Sequence, residues 1–302
     1  MRKNRLGQSD LYVSEIGLGC MSLGTDEAKA ISIVHEALDQ GINFVDTADL
    51  YDEGRNEEII GKAIRQRRQD VILTTKVGNR RIPGQEGWSW DPSKAYIKNA
   101  VKDSLKRLQT DYIDLYQLHG GTIEDPIDET IEAFEELKQE GLIRYYGISS
   151  IRPNVIREYV KKSNIVSIMS QYSILDRRPE EEILPLLAKH GISMIARGPL
   201  AGGILSERGR SKAEKNYLDY SSEELLNLHD QLSQETSDSR NLAQTALHYP
   251  LANPSVAVII PGASSLEQLK SNVMAADVAP LTSEELADIQ QMSKANRYKL
   301  HV

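Results

Sequence analysis

Apolar and polar positions fall in alternating blocks along this chain. Short runs rich in Val, Ile and Leu occupy 15–19, 42–46, 71–76, 112–119, 143–149, 165–170, 192–197 and 256–261. Most of these eight runs are apolar at successive positions, as strands buried on both faces require. Between them the apolar positions repeat with a helical period. Ile97, Val101, Ser104, Leu105 and Leu108 share one face, and so do Ile127, Ile131, Phe134 and Leu137. Asp91, Pro92 and Ser93 offer a cap and an early proline for the first of these helices. Gly41, Gly141 and Gly191 each stand just before a run, where a helix must stop.

Strands alternating with helices predict an α/β protein, either an open doubly wound sheet or a closed (β/α)8 TIM barrel. A barrel takes about 250 residues, and a chain of 302 leaves room for additions. The glycines after the first run stand at 17, 19 and 24, the wrong spacing for a G-x-G-x-x-G fingerprint. No linker or shift in composition divides the chain. The expectation is one barrel domain over residues 1–302. Three additions are expected. Residues 3–14 read as a β-hairpin around Gln8, Ser9 and Asp10, placed to plug the barrel floor. The loop 77–92 is long, and the connection 198–255 must hold a helix and an insertion. Both follow strand C-termini, the catalytic face of such a barrel.

Composition narrows the partners. Hydrophobic residues make up 40% and charged residues 26%, as in an ordinary globular protein. Against 36 basic residues stand 44 acidic ones, a net charge of −8. That disfavours nucleic acid and anionic membranes. The single cysteine, Cys20, allows no internal disulfide, which suits a reducing compartment. The basic N-terminal residues have no apolar core behind them, and no run reaches 18 apolar residues. The expectation is a soluble, cytoplasmic monomer with no metal site.

The ionisable residues at the strand ends carry the chemistry. Asp46, Lys76 and His119 close three successive runs, and Tyr51 follows Asp46 by five residues. In a parallel barrel those ends converge on one mouth. A free phenol with a pKa near 10 is a poor acid. A neighbouring ammonium lowers that pKa, and a carboxylate keeps the ammonium charged and in place. Histidine can orient a carbonyl oxygen or assist the proton transfer. Together the four would hand a proton to an oxygen gaining negative charge, as when a carbonyl accepts hydride. Any one of them alone reads equally well as a structural ion pair, and Tyr is common here, with 13 copies. His35, His190, His229, His248 and His301 fall on helices, helix ends or the terminus and carry no such pattern. A second chemistry stays open, with Lys76 as the Schiff-base lysine of a barrel aldolase; an adjacent Asp46 opposes it. Trp88 and Trp90 either wall an apolar substrate pocket or pin their loop. The charged segment 206–224 either closes over a cofactor or is a solvated insertion.

The motifs from end to end resemble a bacterial aldo-keto reductase. Asp46-Thr47-Ala48 with Tyr51, then Gly54, Arg55, Asn56, Glu57 and Gly61, is similar to the active-site segment of that superfamily. Leu6-Gly7 through Gly19 resembles its opening hairpin and first strand. Thr75-Lys76, Leu118-His119, Gly141 to Arg144, Gly147 to Ser149, Gln171-Tyr172, Pro199 to Gly203, and Ile260 to Ser264 with Gln268 and Asn272 resemble its later motifs. The resemblance implies an NADP(H)-dependent reductase of aldehydes and ketones that holds nicotinamide without a Rossmann fold. Tyr51 would be the proton donor, Lys76 and Asp46 would tune it, and His119 would orient the substrate. Apart from the resemblance, Trp88 stays a candidate for the substrate site through its place in the loop after Lys76. Ser149 and Gln171 would bind the nicotinamide carboxamide. Cys20, Met21 and Asp46 would lie by its ribose. Arg197, Gly198, Pro199, Leu200, Ala201 and Gly202 would wrap the ring and pyrophosphate. Gly262, Ser264, Gln268 and Asn272 would take the adenosine end. Ser150 stands where many members have Asn, and Arg197 where many have a Tyr stacked on nicotinamide; a guanidinium also lies flat on a ring. Ser264 stands where members gripping a 2′-phosphate often have Arg or Lys, so NAD(H) remains beside NADP(H) as the cofactor. Lys270 is a candidate substitute for that cation. The stretch between His119 and Asp125 is longer than in many members. A third reading keeps the scaffold as a non-catalytic, cofactor-sensing module.

Overall fold

The structure is a computed structural model and describes all residues except 83, 85 and 236–239. In chain order the strands are β1 (Lys3–Arg5), β2 (Tyr12–Ser14), β3 (Leu18–Gly19), β4 (Phe44–Asp46), β5 (Ile72–Val77), β6 (Asn79–Arg80), β7 (Ser89–Trp90), β8 (Ile113–Leu118), β9 (Ile143–Ser149), β10 (Ser167–Gln171), β11 (Ser193–Arg197) and β12 (Val256–Ile260). The helices are α1 (Glu27–Asp39), α2 (Arg55–Ile64), α3 (Lys94–Leu108), α4 (Ile127–Gln139), α5 (Pro153–Lys162), α6 (Ile183–His190), α7 (Ser222–Glu235), α8 (Leu242–Leu251), α9 (Leu266–Val273) and α10 (Ser283–Met292).

Eight strands pair in parallel in the order β3, β4, β5, β8, β9, β10, β11, β12. Bridges from Ile16 to Ile259 and from Gly19 to Gly262 join the last strand to the first, so the sheet closes into a (β/α)8 barrel. Each of the eight apolar runs marks one barrel strand: β9 matches its run end to end, while β5 and β10 extend one residue past theirs, to Val77 and Gln171. The two helical faces form as patterned: Ile97, Val101, Ser104 and Leu108 of α3, and Ile127, Ile131, Phe134 and Leu137 of α4, are buried. Ser93 caps α3 by accepting from the Tyr96 amide, and Pro92 precedes that cap instead of lying inside the first turn.

The hairpin β1–β2 forms with Lys3 opposite Ser14. Its Leu6, Leu11 and Val13 share a buried cluster with the barrel residues Phe44, Leu115, Met169, Ile195 and Val258. The Gly7 amide donates to Ser193 Oγ at 2.8 Å, and Asn4 Nδ2 to the Ala257 carbonyl at 2.8 Å. The hairpin thus closes the N-terminal end of the barrel with apolar side chains.

Strand periodicity then decides what lies above that floor. Successive inward positions are two residues apart. Phe44 is followed inward by Asp46, and Leu115 by Gln117 and His119. Thr74 is followed by Lys76, and Gln117 Nε2 donates to Thr74 Oγ1 at 2.9 Å inside the barrel. The interior runs from apolar at the hairpin to ionisable at the strand C-termini.

The long loops are more structured than expected. Residues 79–90 hold the small antiparallel pair β6–β7; positions 83 and 85 lie outside the described residues. The connection 198–255 carries two helices, α7 and α8, and α8 packs on β12; 236–239 lie outside the described residues. The C-terminal helix α10 had no counterpart in the sequence reading. Among the described residues, no helix is long and apolar enough to cross a membrane.

Candidate active site

Four of the predicted residues meet at the barrel mouth. Lys76 is 1% exposed and Asp46 3%. All three donors of the Lys76 ammonium are used: to Asp46 Oδ2 at 2.8 Å, to the Thr47 carbonyl at 2.7 Å and to the Tyr51 hydroxyl at 3.2 Å. The Tyr51 and His119 rings meet edge to face, with centroids 5.9 Å apart. Asp46, Tyr51, Lys76 and His119 therefore form one cluster.

The position of Tyr51 depends on an unusual turn. Asp52, Glu53 and Gly54 have φ of 47°, 60° and 85°, three consecutive left-handed residues, two of them not glycine. Such conformations cost energy for L-residues, so the surroundings must hold the turn. Arg107 lies against Gly54, where a Cβ would come within 2.8 Å of Arg107 Cδ. Arg107 Nε also donates to Glu57 Oε2 at 2.7 Å, and Thr75 Oγ1 donates to Glu57 Oε1 at 2.6 Å. Asn56 accepts from Thr47 Oγ1 at 2.7 Å and donates to the Cys20 carbonyl at 2.9 Å. The Asn56–Glu57 pair of the motif thus ties α2 to the ends of β3, β4 and β5.

The electrostatics correct one expectation. Burial raises the Tyr51 pKa above its ordinary value of 10; the Lys76 ammonium acts to lower it but is outweighed. Burial acts to lower the Lys76 pKa, but Asp46 and Tyr51 together hold it above its ordinary value, so the ammonium stays charged. Burial pushes His119 down to about 3, with Lys76 and Arg197 adding to the effect. His119 is therefore a neutral imidazole at neutral pH. Asp49, two residues before Tyr51, is pushed up to about 8 by burial and by the charge of Glu57.

The residues implied for the cofactor flank this cluster. Gln171 ends β10 and Arg197 ends β11, in register with each other. Arg197 Nη1 donates to Gln171 Oε1 at 3.3 Å, and its charge acts on Asp46, Tyr51 and His119. Ser149 lies at the end of β9 beside Met169 of β10. Gly198, at φ 64°, starts the turn through Pro199, Leu200, Ala201 and Gly202. Cys20 is fully buried and its thiol pKa lies well above the ordinary value, chiefly through burial, whereas Met21 is 68% exposed. At the far side Gly262 bridges to Gly19, Ser264 donates to Gln268 Oε1 through its amide and hydroxyl, and Asn272 Nδ2 donates to the Gly262 carbonyl at 3.2 Å. Lys270 Nζ lies 3.9 Å from Glu36.

The two tryptophans separate. Trp90 donates to Asp125 at 2.9 Å and its ring covers Gly78 and Gly120, so it pins the loop. Trp88 is 55% exposed in the same loop. Tyr217, in the charged segment 206–224, was not singled out in the sequence, yet its hydroxyl accepts from Gln171 Nε2 at 2.7 Å. No local pattern distinguishes it from the other tyrosines.

A closed α/β barrel with a buried acid–base cluster at its strand C-termini has the layout of a barrel enzyme. The Aldo/keto reductase family model matches residues 15–294; the chain belongs to this family and is an oxidoreductase. It is 62% identical to an uncharacterized oxidoreductase, YqkF, of Bacillus subtilis (strain 168), covering 100% of this chain and 99% of the relative. It is 30% identical to a probable voltage-gated potassium channel subunit beta of Oryza sativa subsp. japonica, over 95% of both chains. The structure matches the holo form of aldo-keto reductase AKR11C1 from Bacillus halodurans with a TM-score of 0.95 at 63% identity, covering 100% of this chain and 99% of that one. The apo form of the same protein matches with a TM-score of 0.86.

Proposed function

We propose that this protein reduces aldehyde or ketone carbonyls to alcohols with NADP(H), NAD(H) being the other candidate cofactor. The observation that carries the reading is the Lys76 ammonium bonded at once to Asp46 and to the Tyr51 hydroxyl. The surroundings fit a nicotinamide cofactor. Asp46 Oδ1, His119 Nδ1 and Ser22 Oγ are buried without hydrogen-bond partners, and such groups call for a ligand or water. The residues that would hold the cofactor are Ser149, Gln171 and Arg197 at the ring, Cys20, Met21 and Asp46 at the ribose, Gly198 to Gly202 at the pyrophosphate, and Gly262, Ser264, Gln268 and Asn272 at the adenosine end.

When bound, the nicotinamide supplies the hydride. Tyr51 donates its proton to the carbonyl oxygen as that oxygen gains negative charge. A phenol with a raised pKa keeps its proton until that moment, and the Lys76 ammonium stabilises the phenolate left behind. Asp46 holds the ammonium in place. His119, neutral, hydrogen-bonds the substrate oxygen and orients it toward Tyr51. Trp88 is assigned to the outer wall of the substrate site. Residues 1–302 are read as one domain, supported by the hairpin under the barrel and by the Asn154 amide bonding the His301 carbonyl at 2.9 Å.

The Schiff-base alternative needs a neutral, mobile amine at Lys76. A charged ammonium with three partners argues against it. The test is NADPH oxidation with a reactive aldehyde by the wild type and Tyr51→Phe. The variant should lose at least about a hundredfold in turnover while still quenching or shifting NADPH fluorescence. Full activity in Y51F would remove Tyr51 as the acid. Cofactor binding without turnover on varied carbonyls would favour the non-catalytic module.

A further inference from the structure

Gln171 is held at both ends of its amide. Arg197, which has only donors, bonds its Oε1 at 3.3 Å, and Tyr217 takes its Nε2 at 2.7 Å. A guanidinium cannot accept, so the Gln171 oxygen must face Arg197 and its NH2 must face Tyr217. The Arg197 contact therefore selects one of the two possible amide orientations, and the Tyr217 hydroxyl, by accepting, anchors the NH2 end of that orientation. Tyr217 is itself fixed. It exchanges two backbone hydrogen bonds with Tyr220, at 3.1 and 2.9 Å, around the left-handed Leu218. Tyr220 is 3% exposed, and its hydroxyl accepts from the Lys294 amide at 2.6 Å. The inserted segment thus reaches the end of β10 through a braced turn.

We infer that Tyr217 is a positioning residue for the nicotinamide: by accepting from Gln171 Nε2 it holds the Gln171 oxygen toward the ring-binding side, where a carboxamide NH2 needs an acceptor. This rests on the reading of Gln171 as a nicotinamide contact. It gives the insertion 206–224 a specific part in cofactor recognition. With Phe at 217 the Gln171 NH2 loses its acceptor and the amide is held at one end only, by the longer contact to Arg197. Its oxygen is then held less firmly for the incoming carboxamide.

The experiment is a double-mutant cycle read by NADPH fluorescence titration, with Y217F, Q171A, the double variant and the wild type, each also melted to establish folding. Y217F should weaken NADPH binding about fivefold, the size of one neutral hydrogen bond. In the Q171A background the same change should alter the dissociation constant less than about twofold. Unchanged binding in Y217F, or an equal loss in both backgrounds, would overturn the inference, since a purely structural tyrosine acts regardless of Gln171. If Y217F does not fold, Tyr217→His keeps a polar ring atom toward Gln171 and the cycle is run with it; binding by Y217H weaker than by Q171A refutes the coupling. Absence of NADPH and NADH binding by the wild type would overturn the cofactor reading itself, and this inference with it.

Discussion

Replacing Lys76 by methionine tests the central pair. Methionine has nearly the length of lysine, so the change removes the charge with little loss of volume. It takes away the partner of Asp46 Oδ2 at 2.8 Å. Asp46 Oδ1 already lacks a partner, so a carboxyl that is 3% exposed would be left alone. Orphaning one member of a buried ion pair costs about 3–5 kcal/mol. Unfolding entropy of roughly 2.1 cal/mol/K per residue gives about 0.6 kcal/mol/K for a chain of this length, so the melting temperature should fall by about 6 °C. The assay is thermal unfolding followed by circular dichroism at pH 8 and pH 5. Burial already raises the Asp46 pKa, and without Lys76 it rises further. The folded variant then binds more protons than the unfolded chain, so its deficit should shrink as pH falls. The double variant Asp46→Asn/Lys76→Met should recover most of the loss. A K76M melting temperature within about 1 °C of wild type, or a double variant no better than K76M, would refute the claim that the ammonium's main structural task is to hold that carboxylate.

Other outcomes follow from single contacts. The folded His119 pKa of about 3 lies below the value of a free imidazole, so its contribution to stability is complete above about pH 6.5 and drains as pH falls toward 3. At pH 5 the loss is at most about 2 kcal/mol; His119→Asn should flatten this part of the stability–pH curve, and an unchanged slope would show that the imidazole titrates normally. Ser264→Arg should tighten NADPH about tenfold with little effect on NADH, because a guanidinium binds phosphate bidentately; equal effects on both nucleotides would place the 2′-phosphate elsewhere. Gly61→Ala should destabilise by about 2–3 kcal/mol, because its Cβ would lie 2.6 Å from the Leu108 carbonyl where α2 crosses α3; denaturant unfolding reads the change, and a neutral result would mean the two helices part easily.

The barrel was legible because its strands are buried on both faces, and unbroken apolar runs mark such strands without a partner being known. The hairpin floor was legible for a similar reason: two short strands before the first run have nowhere to go but under it. Asp46, Lys76 and His119 could be placed at one mouth because they close successive parallel strands. Periodicity carries less over the loops. The pair β6–β7 and the second helix of the 198–255 connection draw their stability from contacts with the barrel, which local pattern does not record. Trp90 could not be told from Trp88 in sequence, since only the positions of Gly78, Gly120 and Asp125 separate a pinning ring from an exposed one.

The sequence by itself determined the architecture and pointed to all four members of the central cluster, Asp46, Lys76 and His119 as ends of successive strands and Tyr51 in the loop behind Asp46, because strand period and parallel order are local properties that add up along the chain. The net acidity of Tyr51, the neutrality of His119, the turn that carries Tyr51 over Lys76 and the grip of Tyr217 on Gln171 were decided only in three dimensions. Desolvation and hydrogen-bond partnership depend on which atoms surround a group, and residues from distant segments supply those atoms.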